Sequence, residues 1–379
     1  MSGTSADGID VAIVDIRPTA TAVAKLEVIH HTAIPYSRAL RVAVLAAMST
    51  GKITTPALAQ LHWRLGIAYA EAVQVALDES SARIDLAGCH GQTIYHQGSR
   101  ASYLGRSFGC TWQIGEPALV AAHLGVPVVA NFRPGDMVHG GQGAPLVPLL
   151  DYTLFRHRKR ARVLQNIGGI GNLTVIPAAA SMTDLRAFDT GPGNMVIDFF
   201  MQQLYGRSYD KGGRVARSGK ILTPVITAAL RDPFFRKPPP KSAGREQFGS
   251  AYAASLLKQC KRLSHGAEDA VATATALTAD SIAMACREYV LASIRGAPID
   301  YLVSGGGAKN STLMEMLGER LTPLGCTLAT TGASSLAVEA KEAAAFALLA
   351  YHTYHRRPSN IPSATGAEQP AILGQVCYA

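Results

Sequence analysis

The stretch "RVLQNIGGIGNLTVIPA" (162–178) reads as strand, glycine turn, strand. The chain opens on the same plan. "MSGTSADGID" (1–10) is a loop of small residues that runs into an apolar strand in which Ile9, Val11 and Ile13 alternate with other residues. "AKLEVIHHTAIPY" (24–36) reads as a second strand and pairs with the first as a hairpin. The two hairpin units lie about 160 residues apart, and helices and strands follow each of them. This recurrence predicts two α/β domains of similar plan, related by duplication.

Between the hairpins, Leu58, Leu61, Leu65, Ala68, Ala72 and Ala76 fall at helical spacing over 56–78, with Thr55 as cap and Pro56 in the first turn. "IDLAGCHGQTIYH" (84–96) reads as strand then loop, and "PALVAAHLGVPVVANF" (117–132) as helix, glycine stop and strand. "FFRKPPPKSAGREQF" (234–248) is too proline-rich to be helical at its centre and reads as a surface loop of fixed shape.

Composition excludes several classes. The 379 residues are 48% hydrophobic, enough for two cores. No apolar run is long enough to span a membrane, and no basic-then-apolar leader opens the chain. The cysteines at 89, 110, 260, 286, 326 and 377 form no CxxC pair, which reads as reduced thiols in a cytoplasmic protein. His90 and His96 beside Cys89 fit no common zinc spacing. The net charge is +9, yet the basic stretch "RHRKRAR" (156–162) has no interleaved aromatics, which argues against nucleic acid and for a solvated face or a phosphorylated ligand.

Four glycine-rich turns carry the chemistry: "SGTSADG" (2–8), "NIGGIGN" (166–172), "DTGPGN" (189–194) and "SGGGAKN" (304–310). Such turns bring backbone N–H groups close to phosphate oxygens, and Thr4, Ser5 and Thr174 add hydroxyls. The sequence has no GxxxxGK[ST], no GxGxxG and no GxSxG elbow. A nucleotide cleft of another kind is the expectation. Asp189 follows "RAF" and precedes a glycine loop and the helix "NMVIDFFMQQLY". It reads either as a general base in a phosphoryl-transfer site or as a helix cap. The dense polar stretch "NFRPGDMVHGGQGAPLVP" (131–148) suits a sugar.

In order along nearly the whole chain, "MSGTSADGID", "HGQTIYH", "FRPGDMVHGGQGAPLVP", "NIGGIGNLT", "FDTGPGNMVID", "YDKGGRVARSG", "PPPKSAGREQF", "SGGGAKN" and "KEAAAFALLA" resemble the anhydro-N-acetylmuramic acid kinase family. The resemblance implies two RNase H-like domains of the actin/Hsp70/hexokinase-like fold, with ATP and Mg²⁺ between them. It implies an N-terminal domain of 1–135 plus about 358–379 and a C-terminal domain of 136–357. Cofactor binding would fall to Gly3, Thr4, Ser5, Asp7, Gly8, Asp10, Asn166, Gly168, Gly169, Gly171, Asn172, Gly305, Gly306, Gly307 and Asn310. The sugar would be held by His90, Gln92, Thr93, Gln113, Arg133, Asp136 and Asn194, with Asp189 and Glu342 as catalytic carboxylates. No metal ligand is assigned, because Ser2 and Asn166 stand where related folds carry Asp.

The implied reaction couples water attack at the anomeric carbon to phosphorylation of the released oxygen, giving N-acetylmuramic acid 6-phosphate for cell-wall recycling. A cytoplasmic homodimer is also implied. Three departures stand out. An apolar strand precedes "MSGTS" in the family, so the native chain is expected to begin upstream of Met1. Asn131 and Glu116 replace expected Asp residues, which keeps a levoglucosan-type kinase as the alternative. A non-catalytic ATP-dependent switch is the rival from another class; Asp189→Asn separates it from a kinase.

Overall fold

A computed structural model describes residues 1–3, 6–18, 25–49, 53–294, 296–330 and 340–379; the expected ligand residues Thr4 and Ser5 lie outside it. The chain divides into two compact units, Met1–Leu154 with Ser335–Ala379, and Phe155–Ser334. The first unit thus runs beyond residue 135, and it takes in the helix Lys341–Tyr354, whose buried Ala344, Phe346 and Leu349 lie on the side that packs on the strands of that unit.

The first unit holds β1 (Gly8–Arg17), β2 (Lys25–Pro35), β3 (Ala87–Cys89), β4 (Gln92–Tyr103), β5 (Arg106–Ile114) and β6 (Val128–Ala130). β1 and β2 form the expected antiparallel hairpin, with Gly8 opposite Pro35. β3 runs parallel to β6, and the strand Gln375–Cys377 pairs antiparallel on the other side of β6. Met1 exchanges both backbone hydrogen bonds with Asp10, each at 2.8 Å, as an antiparallel ladder pair does. A cavity of about 110 Å³ lies beside these elements, lined by Met1, Ile9, Val11, Tyr69 and Cys89 among others.

Two local readings shift. The long helix is Thr55–Ser80, capped by Thr54 rather than Thr55, because the Thr54 hydroxyl accepts from Ala57 N at 3.4 Å and leaves Thr55 inside the first turn. Such a cap contributes about 1 kcal/mol. Residues 92–96 are strand, not loop: after a turn at Gly91 (φ +78°), β4 pairs with β5 as a ribbon. The helix Pro117–Leu124, its glycine stop at Gly125 and β6 follow the expected order.

The second unit holds β7 (Ala161–Ile167), β8 (Ile170–Ile176), β9 (Arg186–Pro192), β10 (Ile299–Ser304) and β11 (Cys326–Thr330) in the order β11-β10-β7-β8-β9. β7, β8 and β9 form an antiparallel meander, while β10 and β11 run parallel to β7. A central first strand, with the second and third on one side and the fourth and fifth on the other, is the RNase H-like order. Val163, Ile167, Tyr301 and Val303 are fully buried on one face of the sheet, packed in a core with Ala279, Ile282, Leu313 and Leu317. The helix Ala267–Ala285 is buried nearly all round, which its alanine and threonine side chains permit because they let neighbours approach closely.

The proline-rich segment 234–248 is non-helical at its centre and exposed at Arg236, Lys237, Pro238 and Pro240, as expected of a surface loop, but it is anchored inward at its flanks. Phe234, Phe235, Phe248 and Lys241 are at most 5% exposed, because the three phenylalanines pack edge to face or tilted against one another at 5.2–5.7 Å.

Candidate active site

The turn between β7 and β8 is Gly168–Gly169, entered from the ladder pairs Asn166–Asn172 and Ile167–Gly171. Its carbonyls are already engaged. Gly168 O accepts from Asn194 N at 2.7 Å, and Gly169 O accepts from Gly193 N at 2.9 Å and Met195 N at 3.2 Å. The first N–H groups of the helix Asn194–Tyr205 therefore fasten the glycine turn. Asn194 adds a side-chain bond from Nδ2 to Ile167 O at 3.1 Å.

Gly305 reaches the same place from β10. At φ +82°, a Cβ there would lie 2.6 Å from Asn166 Oδ1 and 2.7 Å from Ile167 O, so only glycine lets the backbone close up. Gly306 and Gly307 lie against Asn194, within 3.3 Å of where a Cβ would stand. The structure thus gathers Asn166, Gly168, Gly169, Asn194 and Gly305–Gly307. Gly171 and Asn172 continue into β8, Gly171 opposite Ile167 and Asn172 opposite both Asn166 and Asp189. Asn310 does a structural task, accepting Leu313 N at 3.0 Å as the cap of the helix Ser311–Leu321.

Sequence reading missed the support beneath this turn. Gln165 is fully buried; its Nε2 donates to Asn172 O at 2.9 Å and Asn166 O at 3.2 Å, and Tyr301 OH donates to its Oε1 at 3.0 Å. An amide in step with Val163 and Ile167, on the apolar face of the strand, was the available signal.

Asp189 lies within β9, and the capping alternative is not realised: the helix after it starts at Asn194 on the backbone of Gly193, with no side-chain cap. Its backbone N–H donates to Lys241 O at 3.0 Å, and Ala243 N donates to its Oδ2 at 2.7 Å. Burial pushes its carboxyl up to about 6, offset partly by the Ala243 N–H and the Lys241 ammonium and reinforced by Glu246. That is the range of a working general base.

The first unit by itself holds Arg133 in a fixed frame. Its Nε and Nη2 donate to His90 Nε2 at 3.1 and 2.9 Å, and its Nη1 donates to Gly143 O at 2.7 Å. Arginine can only donate, so His90 Nε2 accepts and its Nδ1–H donates to Gly91 O at 2.7 Å. Burial and the Arg133 charge hold His90 well below the usual imidazole range, so it stays neutral. Burial also lowers the Arg133 guanidinium, which the Glu342 carboxylate supports. Glu342 is exposed in the first turn of the helix Lys341–Tyr354.

Thr93 and Gln113 are cross-strand partners on β4 and β5, with Gln113 Nε2 on Thr93 Oγ1 at 3.1 Å; Gln113 Oε1 is buried and lacks a partner among the described residues. Gln92, by contrast, braces the opening loop, donating to Gly3 O at 3.0 Å. Asp136 is spent inside the fold: Oδ2 accepts Gly143 N at 2.8 Å, and Oδ1 accepts Asn360 Nδ2 at 2.8 Å and Thr365 Oγ1 at 2.6 Å. Gly8 opens β1, and Asp7 just before it accepts Tyr36 N on its carbonyl at 3.0 Å. Asp10 meets Met1 through its backbone and His31 Nε2 through its carboxylate at 3.3 Å. Glu116 caps the helix Pro117–Leu124 and meets His62 Nε2 at 3.1 Å, while Asn131 takes the left-handed conformation that Asn tolerates. Among the described residues no cluster of three His, Cys, Asp or Glu could hold a metal ion, and no helix is long and apolar enough to cross a membrane.

The second unit is an RNase H-like α/β domain with a glycine turn after its first strand and a carboxylate on its third. A family model described as anhydro-N-acetylmuramic acid kinase matches residues 1–379. Two Bacillus cereus proteins bearing that name are 43% and 44% identical over 382 residues, covering 100% of this chain and 98% and 96% of theirs. A Bacillus anthracis protein of the same name is 42% identical over 382 residues, covering 100% of this chain and 98% of its own. The chain belongs to the anhydro-N-acetylmuramic acid kinase family. Among solved structures, an activator of 2-hydroxyisocaproyl-CoA dehydratase from Clostridium difficile matches with TM-score 0.40 and 11% identity over 92% of this chain and 96% of its own.

Proposed function

We propose that the protein uses ATP to convert 1,6-anhydro-N-acetylmuramic acid to N-acetylmuramic acid 6-phosphate, a step in re-use of cell-wall sugar. The observation that carries the mechanism is Asp189: a largely buried carboxylate, raised to about 6 and held by one backbone N–H on Oδ2. The anhydro sugar has no proton on its bridging oxygen, so the bridge must open first. Asp189 takes a proton from water as that water attacks the anomeric carbon. The bond from that carbon to the bridging oxygen breaks, and the freed oxygen attacks the γ-phosphorus as the bond to ADP breaks. Water, sugar and ATP give phosphorylated sugar and ADP, and the proton on Asp189 passes to solvent.

The glycine backbone at 168–169 and 305–307 suits the approach of phosphate oxygens, and Asn166 and Asn194 hold that backbone in place. Mg²⁺ would be held by phosphate oxygens and water and would neutralise charge on the transferred group. Arg133 suits the sugar's lactyl carboxylate, and the orphaned Gln113 Oε1 suits a hydroxyl or amide donor. The Glu342 carboxylate, whose charge supports the Arg133 guanidinium, suits a role on the sugar side. The working assembly is a cytoplasmic homodimer.

The test is turnover in ¹⁸O-labelled water. Product carrying one phosphate and one ¹⁸O at the anomeric position is expected. Phosphorylation without ¹⁸O would overturn the coupled mechanism, and turnover confined to levoglucosan would overturn the substrate.

A further inference from the structure

Lys241 is only 5% exposed, yet it meets no carboxylate at ion-pair distance among the described residues. Its ammonium donates to the carbonyls of Phe234 and Phe235, both at 3.2 Å. It also faces three rings, Tyr289 at 4.7 Å, Phe234 at 4.8 Å and Phe188 at 5.9 Å. Tyr289 OH donates to Phe235 O at 3.3 Å, and the Tyr289 and Phe188 rings pack edge to face at 5.9 Å, so the enclosure is itself braced. Ring faces and carbonyl dipoles solvate a cation without neutralising it. A buried, unneutralised charge is costly, and burial lowers this ammonium to about 8. A charge kept at such cost calls for a use.

The geometry around it supplies one. Phe188, a wall of the enclosure, directly precedes Asp189 on β9. The Lys241 carbonyl accepts the Asp189 N–H at 3.0 Å, and two residues on, Ala243 N donates to Asp189 Oδ2 at 2.7 Å. Phe235 fills the space over Gly191, where a Cβ would lie 2.6 Å from its ring. One segment thus grips β9 at Phe188, Asp189 and Gly191, and the caged ammonium is its anchor.

We propose that Lys241 is a positioning residue for Asp189: its caged ammonium docks the proline-rich segment on β9, aims the Ala243 N–H at the carboxylate and favours the ionised form. This rests on Asp189 being the base. The charged groups facing the pair are Lys241 and Glu246 toward Asp189, and Asp189 and Lys237 toward Lys241; Glu246 opposes Lys241 at the carboxylate, and Lys237 lowers the ammonium.

The experiment is the pH profile of kcat for the full chain and for Lys241→Met, Lys241→Arg and Asp189→Asn, with ATP and the anhydro sugar. For Lys241→Met, the acid limb is expected to move up by about one pH unit, which alone lowers kcat at pH 7 by about twofold and is recovered by pH 8.5, and the lost aim of the Ala243 N–H to lower kcat by roughly fivefold more at every pH. KM for ATP should hold within about twofold. Lys241→Arg keeps the charge, so its acid limb should stay at the wild-type position even if the larger group lowers the rate. A pH-independent loss with an unmoved limb in Lys241→Met, or a limb displaced equally by the arginine, would overturn the proposal. If Lys241→Met does not fold, the arginine variant decides alone: an unmoved limb supports the role of charge, and a displaced limb overturns it. Wild-type turnover in Asp189→Asn would overturn the base assignment itself. An inactive Asp189→Asn with an unmoved limb in Lys241→Met would overturn only the role of Lys241.

Discussion

Ala243 donates its backbone N–H to Asp189 Oδ2 at 2.7 Å across 54 residues of chain. That one donor orients the carboxylate but does not solvate it fully, and burial raises it to about 6. The acid limb of kcat should therefore lie near pH 6. Below it Asp189 is protonated and cannot accept a proton, so kcat should fall about tenfold per pH unit. A rate independent of pH from 5 to 8 would contradict this.

The same carboxylate should reduce stability. The folded form raises it from 3.8 to about 6, so between those values the folded chain binds more protons than the unfolded chain, and stability falls as pH rises through the window. At pH 7.5 the ionised group costs about 2–3 kcal/mol as an upper figure. Asp189→Asn should lose roughly 10²–10⁴-fold in kcat yet melt higher at pH 7.5, with the gain shrinking toward pH 4. Thermal melts at the two pH values check the sign.

Arg133→Met should raise KM for the sugar at least about tenfold while KM for ATP stays put, because the charge sits on His90 and Gly143 with no part in the glycine turns. His90 should be neutral where an ordinary imidazole begins to protonate, since it is buried and a proton on Nε2 would face the guanidinium. Imidazole ¹⁵N shifts report the Nδ1–H tautomer directly.

Asp136→Ala should destabilise by about 3–5 kcal/mol, because it strips a fully buried acceptor from Gly143 N, Asn360 Nδ2 and Thr365 Oγ1 together. Denaturant unfolding measures it. A loss of sugar affinity with unchanged stability would instead place Asp136 on the substrate.

Gly305→Ala should weaken ATP binding by about tenfold or more, because at φ +82° its Cβ would strike Asn166 Oδ1 and Ile167 O and push the turns apart. Calorimetric titration with a non-hydrolysable ATP analogue reads the change.

Much of the frame was legible in the amino-acid order. The hairpins at β1–β2 and β7–β8, the long helix from 55 and the helix after "DTGPG" follow from alternation, helical spacing and glycine position. The boundary error at Thr54 arose because two adjacent threonines can each cap, and only the turn geometry chooses. Asp136 shows the opposite limit: an acid in a polar loop looks like a ligand contact, and its occupation by Asn360 and Thr365 lies more than two hundred residues away.

The sequence by itself determined the local elements and the glycine turns and left Asp189 open between base and cap, because backbone freedom and side-chain periodicity act between near neighbours. Only the tertiary structure decided the sheet order, the His90 tautomer and the burial of Lys241 in its ring enclosure. Each of these is set by groups far apart in the chain, and the low dielectric that gives them their energies exists only once the core has closed.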